Sequence, residues 1–187
     1  MRLNDKPTKS KLIKIQEYSN GFEAVLTVEY GDTEFSFFDI DYALHKNSYK
    51  LGEYYDFALS AMAFEAGCVP DEEMSFTLSH DEAERLHLAG DDNKPVIMSM
   101  SELVGCLQTD SRYPDNAAFQ SPVMSRARKA ACLGREFYRM EICIAHETDE
   151  CPELTIPLIT RVSDFDKKPT MKNSIRGGLW LQGRLIQ

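Results

Sequence analysis

Apolar and polar residues alternate along much of the chain with a period of two, which is typical of half-buried β-strands. The clearest stretch is residues 22–30, where every second residue is apolar and the residues between are mostly polar. Asn20-Gly21 precedes it and Gly31-Asp32 follows it, and both pairs are tight-turn signals. With apolar positions also at 11–19 and 34–39, the pattern predicts a three-stranded meander.

The rest of the chain shows more strand signals than helix signals. Further strands are expected at residues 54–65, 76–78, 95–100 (with 103–107 as an extension), 135–146, 154–162 and 178–186. Pro157 is expected to place its strand at a sheet edge. Short helices are expected at 81–89, after the capping box of Ser79 and Glu82, and at 125–132. Connections are expected at 40–53, 108–123 and 164–177.

These elements predict a mainly β protein (a β-rich α+β fold). We expect a single antiparallel Greek-key barrel or sandwich with one or two short helices, and favour an OB-like barrel. No repeat or linker divides the chain, so residues 11–187 are expected to form one domain behind a flexible polar segment, residues 1–10.

Composition narrows the classes of partner. The chain has 187 residues and a net charge of −9, from 30 acidic and 21 basic side chains. An acidic excess repels phosphate backbones and anionic membrane surfaces, so it argues mildly against nucleic acid and favours a basic protein partner. No apolar run approaches the roughly 20 residues that span a bilayer. We therefore expect no membrane association.

The cysteines favour a reducing compartment. There are five, Cys68, Cys106, Cys132, Cys143 and Cys151, widely spaced and without a Cys-x-x-Cys motif. A secreted disulfide framework would be denser, and the amino terminus lacks the apolar region of a signal peptide. We predict free thiols and a cytoplasmic location, and no cofactor motif is present.

The sequence carries only weak signals for a metal site or a catalytic nucleophile. His80, Glu84 and His87 would share a helical face, but no fourth ligand is marked, so we interpret them as a solvated face and predict no metal site. Cys143 and His146 could pair for acyl transfer. Because residues three apart on a regular strand point to opposite faces, we interpret Cys143 as a buried structural cysteine.

Carboxylate pairs could support a hydrolase. Asp39 and Asp41 would share a strand face, with Asp56 near them, and residues 71–73 are all acidic. Paired carboxylates serve acid–base hydrolysis, but surface charge is the commoner role of Asp and Glu. A carboxylate- or metal-dependent hydrolase is therefore kept only as one alternative, and no catalytic residue is assigned.

One basic cluster interrupts the acidic chain. Arg126, Arg128, Lys129 and Arg139 surround Tyr138, and such interleaving of basic and aromatic residues is used to bind single-stranded nucleic acid. A solvated basic face would look the same in sequence. The cluster makes an OB-like binder of single-stranded nucleic acid or oligosaccharide the alternative function.

The leading expectation is a non-enzymatic binding protein of the bacterial cytoplasm, like an immunity protein or an inhibitor. Tyrosines flanked by acids combine rigid contact area with charge, which suits an interface anchor for a basic protein. The oligomeric state is left open. The predicted contact residues are Asp41, Tyr42, Tyr49, Glu53, Tyr54 and Asp56.

Overall fold

A computed structural model describes residues 6–79, 85, 96–100, 103–108, 112–148 and 151–186. His80, Glu84, His87 and, apart from Arg85, the predicted helix at 81–89 lie outside the described residues. The strands are β1 (Thr8–Glu17), β2 (Ala24–Tyr30), β3 (Thr33–Asp39), β4 (Tyr54–Cys68), β5 (Ser75–Leu78), β6 (Val96–Ser99), β7 (Gly105–Gln108), β8 (Asn116–Pro122), β9 (Arg128–Cys132), β10 (Arg135–Ala145), β11 (Leu154–Arg161) and β12 (Ser174–Leu185).

Helix is scarce in the described part of the chain. α1 covers Tyr42–His45 between β3 and β4, and short 3-10 turns cover Asp71–Glu73 and Val162–Asp164. No helix among the described residues is long and apolar enough to cross a membrane. The prediction of a mainly β protein with few short helices is confirmed.

The meander forms as its alternation predicts. β2 pairs antiparallel with both β1 and β3, and the turn glycines Gly21 and Gly31 adopt positive φ angles of 68° and 55°. Leu26 lies opposite Ile15 on one side and Phe37 on the other, and both Leu26 and Phe37 are fully buried. The even-numbered apolar residues of β2 thus line the core.

Ten strands form one sheet in the order β7-β8-β12-β3-β2-β1-β4-β11-β10-β9, and β12 also pairs with β4. The strands β1, β2, β3, β12 and β4 are therefore connected in a closed circuit of pairings. The sheet is mixed rather than purely antiparallel as expected, because β12 runs parallel to β3 and β11 runs parallel to β4. β5 and β6 form a separate two-stranded sheet.

The long strands β4 and β12 form the spine of the molecule. Their antiparallel register runs from Ile175 opposite Cys68 to Leu185 opposite Phe57, with one irregularity at Gly178–Leu179. A Cβ at Gly183 would lie 2.5 Å from the Phe37 ring, so the close packing there requires glycine. Buried residues from both ends of this spine belong to one hydrophobic cluster.

Three boundaries differ from the predictions. β1 begins at Thr8, which with Ser10 is buried, so residues 8–10 belong to the folded domain and not to a flexible segment. β8 lies inside the predicted connection 108–123, because its core-facing residues alternate as Ala117, Phe119 and Ser121, a weak hydrophobic signal. Residues 103–108 do not extend β6, because β7 pairs with β8 in the large sheet.

Two further predictions are wrong. The segment predicted as a helix at 125–132 contains β9, whose five residues are all exposed, so no apolar alternation marked it as a strand. β11 lies between β10 and β4 and is not an edge strand. Pro157 is tolerated there because the parallel pairing with β4 involves only Leu158 and Ile159.

Candidate functional site

Two of the four tyrosines of segment 41–56 are buried in the protein. Tyr42 and Tyr49 are only 5% and 8% exposed, and their stacked rings have centroids 6.2 Å apart. The hydroxyl of Tyr49 donates to Asp39 Oδ2 at 2.7 Å, and that of Tyr42 donates to Glu17 Oε2 at 3.0 Å. The expectation that these two side chains are exposed for a partner is therefore corrected, because both rings belong to the core cluster, where Tyr49 packs against Phe57 and Tyr55.

The carboxylates proposed for hydrolysis have structural partners. Asp39 is buried and accepts hydrogen bonds from the Tyr49 hydroxyl and from the Asp41 backbone N–H at 3.0 Å. Burial raises the pKa of Asp39, and burial together with the Asp39 carboxylate raises the pKa of Tyr49. Asp41 lies beyond the end of β3 and shares no strand face with Asp39. In the acidic 3-10 turn, Glu73 forms an ion pair with Arg176.

The other predicted contact residues stay near the surface. Glu53, Tyr54 and Asp56 are exposed, and Asp41 is half-buried. Lys9 lies opposite Asp56 in the β1–β4 register, and its Nζ is 5.8 Å from the Tyr54 ring centroid. The surface around Tyr54 therefore carries both signs of charge rather than a uniform acidic face.

Three of the predicted basic residues meet at one cleft. Arg126, Arg128 and Arg139 line a depression of about 320 Å³ together with Glu141 and Pro157. Arg128 and Arg139 are directly opposite each other in the β9–β10 ladder, so their side chains share a face. Ser125 Oγ accepts the Glu141 backbone N–H at 2.9 Å and holds the preceding segment beside β10. None of the three guanidinium groups forms an ion pair with a described carboxylate.

Lys129 and Tyr138 do not join this cleft. Lys129 forms an exposed ion pair with Glu136 at 3.4 Å. Tyr138 is 4% exposed and its ring packs against Phe165, with centroids 6.1 Å apart. The prediction that Tyr138 stacks on a ligand is corrected, because it lies on the core face of β10 while Arg139 lies on the outer face.

Cross-strand register extends the cleft into a row across the outer face of the sheet. Arg128 is opposite Arg139, which is opposite Ile159, which is opposite Met62, which is opposite Trp180. The Trp180 ring lies 5.5 Å from that of Phe38. We call these residues the transverse row: Arg128, Arg139, Ile159, Met62, Trp180 and Phe38.

The transverse row faces outward. Its neighbours along β4 and β11, Ala61 and Leu158, are buried, whereas Met62 is 44% exposed. Neighbouring strands lie about 4.8 Å apart, so three strand spacings separate Arg139 from Trp180 by roughly 14 Å. Basic and aromatic side chains thus lie on one surface, at a spacing that several nucleotides or sugar rings would cover.

The aromatic end of the row has a fixed geometry. Trp180 Nε1 donates to Asp115 Oδ2 at 2.6 Å, which orients the indole ring. Tyr18 lies beside Phe38, with ring centroids 6.5 Å apart, and its pKa is raised by burial and by the nearby Asp115 carboxylate. Sequence reasoning missed this group because its members come from four separate segments that only the strand order brings together.

A second group of polar side chains lies where β10 and β11 meet. One ligand-type atom each from Cys143, His146 and Glu153 lies within 4.8 Å of the other two. A regular strand would place Cys143 and His146 on opposite faces. The β10–β11 register is irregular between Cys143 and Ala145, and β10 ends before His146. The separation expected from regular alternation is therefore wrong.

Comparison with known proteins assigns no family to the chain. No protein-family model matches it, and no curated protein or solved structure shows significant similarity to it. Its function is therefore inferred from the geometry of its own residues.

Proposed function

We propose that this protein binds single-stranded nucleic acid along the transverse row, with bases stacked near Trp180 and Phe38 and phosphates at the arginine cleft. The observation that carries the proposal is the register that places both chemistries on one outer face. Aromatic platforms combined with basic grooves bind single strands without needing a particular sequence.

The closed circuit of β1, β2, β3, β12 and β4 supports an OB-like arrangement. The parallel β3–β12 pair and the short helix α1 between β3 and β4 are consistent with it. OB-like folds bind oligonucleotides and oligosaccharides on their strand faces and neighbouring loops. Fold analogy alone does not decide the ligand, so the arginines favour the nucleic acid over a neutral sugar.

The net charge of −9 does not oppose this surface directly. Salt screens exposed charges over about 8–10 Å at physiological ionic strength, so a phosphate at the cleft responds mainly to the nearest side chains. Glu141 lines the cleft and limits its positive potential. We therefore expect binding to be clear at low salt and to weaken steeply as salt rises.

The hypothesis of a basic protein partner has less support. Its surviving exposed residues are Glu53, Tyr54 and Asp56, and Lys9 lies among them. An immunity- or inhibitor-like role stays a prediction. It would be favoured if a basic protein bound and the exchange of these three residues for alanine abolished that binding.

The test is fluorescence anisotropy with a labelled oligothymidylate at several salt concentrations. Replacing Arg126, Arg128 and Arg139 by alanine should weaken binding and reduce the slope of log K against log salt by about 2, at roughly 0.7 per phosphate contact on single strands. The matched control replaces Lys6, Lys9 and Lys50, exposed residues that do not line the cleft, and removes the same three charges.

Equal losses of affinity in both triple variants would reject the cleft as the phosphate site.

Trp180 is the only tryptophan, so its fluorescence should change when bases stack on the row. Absence of oligonucleotide binding at low salt would overturn the proposal. Binding of a neutral oligosaccharide, unaffected by salt and by loss of the arginines, would assign the row to sugars instead.

A further inference from the structure

The ends of two paired strands hold three potential metal ligands of different chemistry. Cys143 is buried near the end of β10, His146 follows the strand and is exposed, and Glu153 directly precedes β11 and is half-buried. Their ligand atoms lie within 4.8 Å of one another. Cys143 also donates its backbone N–H to Ser121 Oγ at 2.8 Å, which anchors this part of β10 to β8.

We propose that Cys143 Sγ, an imidazole nitrogen of His146 and a carboxylate oxygen of Glu153 bind one divalent transition-metal ion of the zinc class. Thiolate and imidazole ligands favour zinc and its neighbours, whereas magnesium and calcium prefer oxygen alone. Three protein ligands leave a fourth tetrahedral position for water or an added ligand, as in open zinc sites.

The spacing suits such an ion after small side-chain movements. Ligand atoms around tetrahedral zinc lie roughly 3.5 Å apart, given bond lengths near 2.0–2.3 Å. The present separations of up to 4.8 Å therefore need a contraction of about 1 Å. His146 and Glu153 can supply it, because the first is exposed and the second half-buried, while Cys143 stays fixed in the core.

Binding of a metal ion replaces the proton of the Cys143 thiol. In the structure this thiol donates to the Ala145 carbonyl oxygen at 3.1 Å. The thiolate is the form that binds metals. On metal binding the S–H bond breaks, a metal–sulfur bond forms, and the proton passes to solvent.

The site has a route to solvent. Glu153 lines a cavity of about 540 Å³, together with Lys6, Lys9, Tyr30 and Cys151. An ion bound to the Glu153 carboxylate is therefore reachable through this cavity. The inference does not depend on nucleic-acid binding, since none of the three ligands belongs to the transverse row.

The experiment titrates tag-free, reduced, metal-free protein with Co²⁺ and follows its visible and near-ultraviolet absorbance. We expect one equivalent to bind with a thiolate-to-cobalt charge-transfer band, and Zn²⁺ to displace it. The variants Cys143→Ser, His146→Ala and Glu153→Gln should each bind Co²⁺ at least about tenfold more weakly. Even substitution of residues that only support metal ligands usually weakens metal binding by that factor.

Matched controls separate this site from other thiols and imidazoles. Cys132→Ser removes an exposed thiol at the end of β9, and His45→Ala removes a half-buried histidine of α1. Both controls should bind Co²⁺ like the unmodified protein. His146→Ala decides the outcome even if Cys143→Ser folds poorly, because His146 is exposed.

Three results would overturn the inference. One is Co²⁺ binding without a charge-transfer band, or no binding, in the unmodified protein. Another is an unchanged affinity in His146→Ala. A loss of the band in Cys132→Ser would likewise assign the metal to an adventitious surface thiol.

Discussion

Segment 41–56 and the β9–β10 hairpin both place tyrosine beside charged residues, but the charged residues have different roles in the two regions. In segment 41–56, Tyr42 and Tyr49 turn inward and their hydroxyls donate hydrogen bonds to carboxylates, so the rings and the carboxylates stabilise the fold together. In the hairpin, Tyr138 turns inward while Arg139 turns outward to the cleft. The same local composition therefore gives a structural network in one region and a candidate binding surface in the other.

The physical difference is the regularity of the backbone. Along β10 the alternation of a strand separates Tyr138 from Arg139 onto opposite faces. Before β4 begins at Tyr54, segment 41–56 turns through α1 and a loop, so Tyr42 and Tyr49 follow no strand alternation and both reach the core. Charge near a tyrosine is thus a poor guide to exposure unless the backbone pattern is known.

The largest effect is expected from Tyr138→Ala. Removing a buried aromatic side chain leaves a cavity and typically lowers the free energy of unfolding by about 3–5 kcal/mol. The neighbouring Arg139→Ala should change it by less than about 0.5 kcal/mol, because such surface substitutions have small effects. Urea unfolding measures both. Similar values for the two variants would show that the hairpin does not separate a core face from an outer face.

The next largest effect is expected from Tyr49→Phe. It removes the hydroxyl that donates to the buried Asp39 carboxylate, and a hydrogen bond to a charged group contributes about 1.5–3 kcal/mol. Tyr54→Phe is the matched control, because Tyr54 is 60% exposed and should lose almost nothing. Equal stability of the two variants in thermal or urea unfolding would contradict a structural role for Tyr49.

The pH dependence of stability tests the same network. The folded pKa of Asp39 is raised above its ordinary value of 3.8, mainly by burial. The native state then holds the proton more tightly, so this stability is fully present below pH 3.8 and is lost as pH rises through the folded pKa. Asp39→Asn should remove this decline.

Urea unfolding of the unmodified protein and Asp39→Asn measures the difference between about pH 3.5, just below the ordinary carboxyl pKa, and about pH 7, roughly three units above it. The stability of the unmodified protein relative to the variant should fall as pH rises. A difference that stays constant or grows would show that Asp39 is not destabilised in its charged form.

The smallest effect is expected at the exposed part of segment 41–56. Alanine in place of Glu53, Tyr54 or Asp56 should change the free energy of unfolding by no more than about 0.5 kcal/mol each. The three changes together should also leave the salt slope of oligonucleotide binding intact. A large loss of stability would mean that this surface supports the fold as Tyr42 and Tyr49 do.

Much of the β-architecture was predictable from local patterns. The meander, β4, β10 and β12 each carry apolar residues at every second position, and a strand that buries one face needs no more than that signal. β8 was missed because Phe119 is the only large apolar residue on its inner face, beside Ala117 and Ser121. β9 was missed because all five of its residues are exposed. Arg126, Arg128 and Arg139 were predicted together because they come from one short stretch.

The sequence by itself determined most of the segments that become strands and which charges cluster locally, since both depend on neighbours along the chain. Only the tertiary structure decided the transverse row, because its six members come from six strands and their alignment depends on strand order and register. The same holds for Cys143, His146 and Glu153, which meet through an irregular ladder and a returning strand. Contacts between distant segments require pairings that no local pattern encodes.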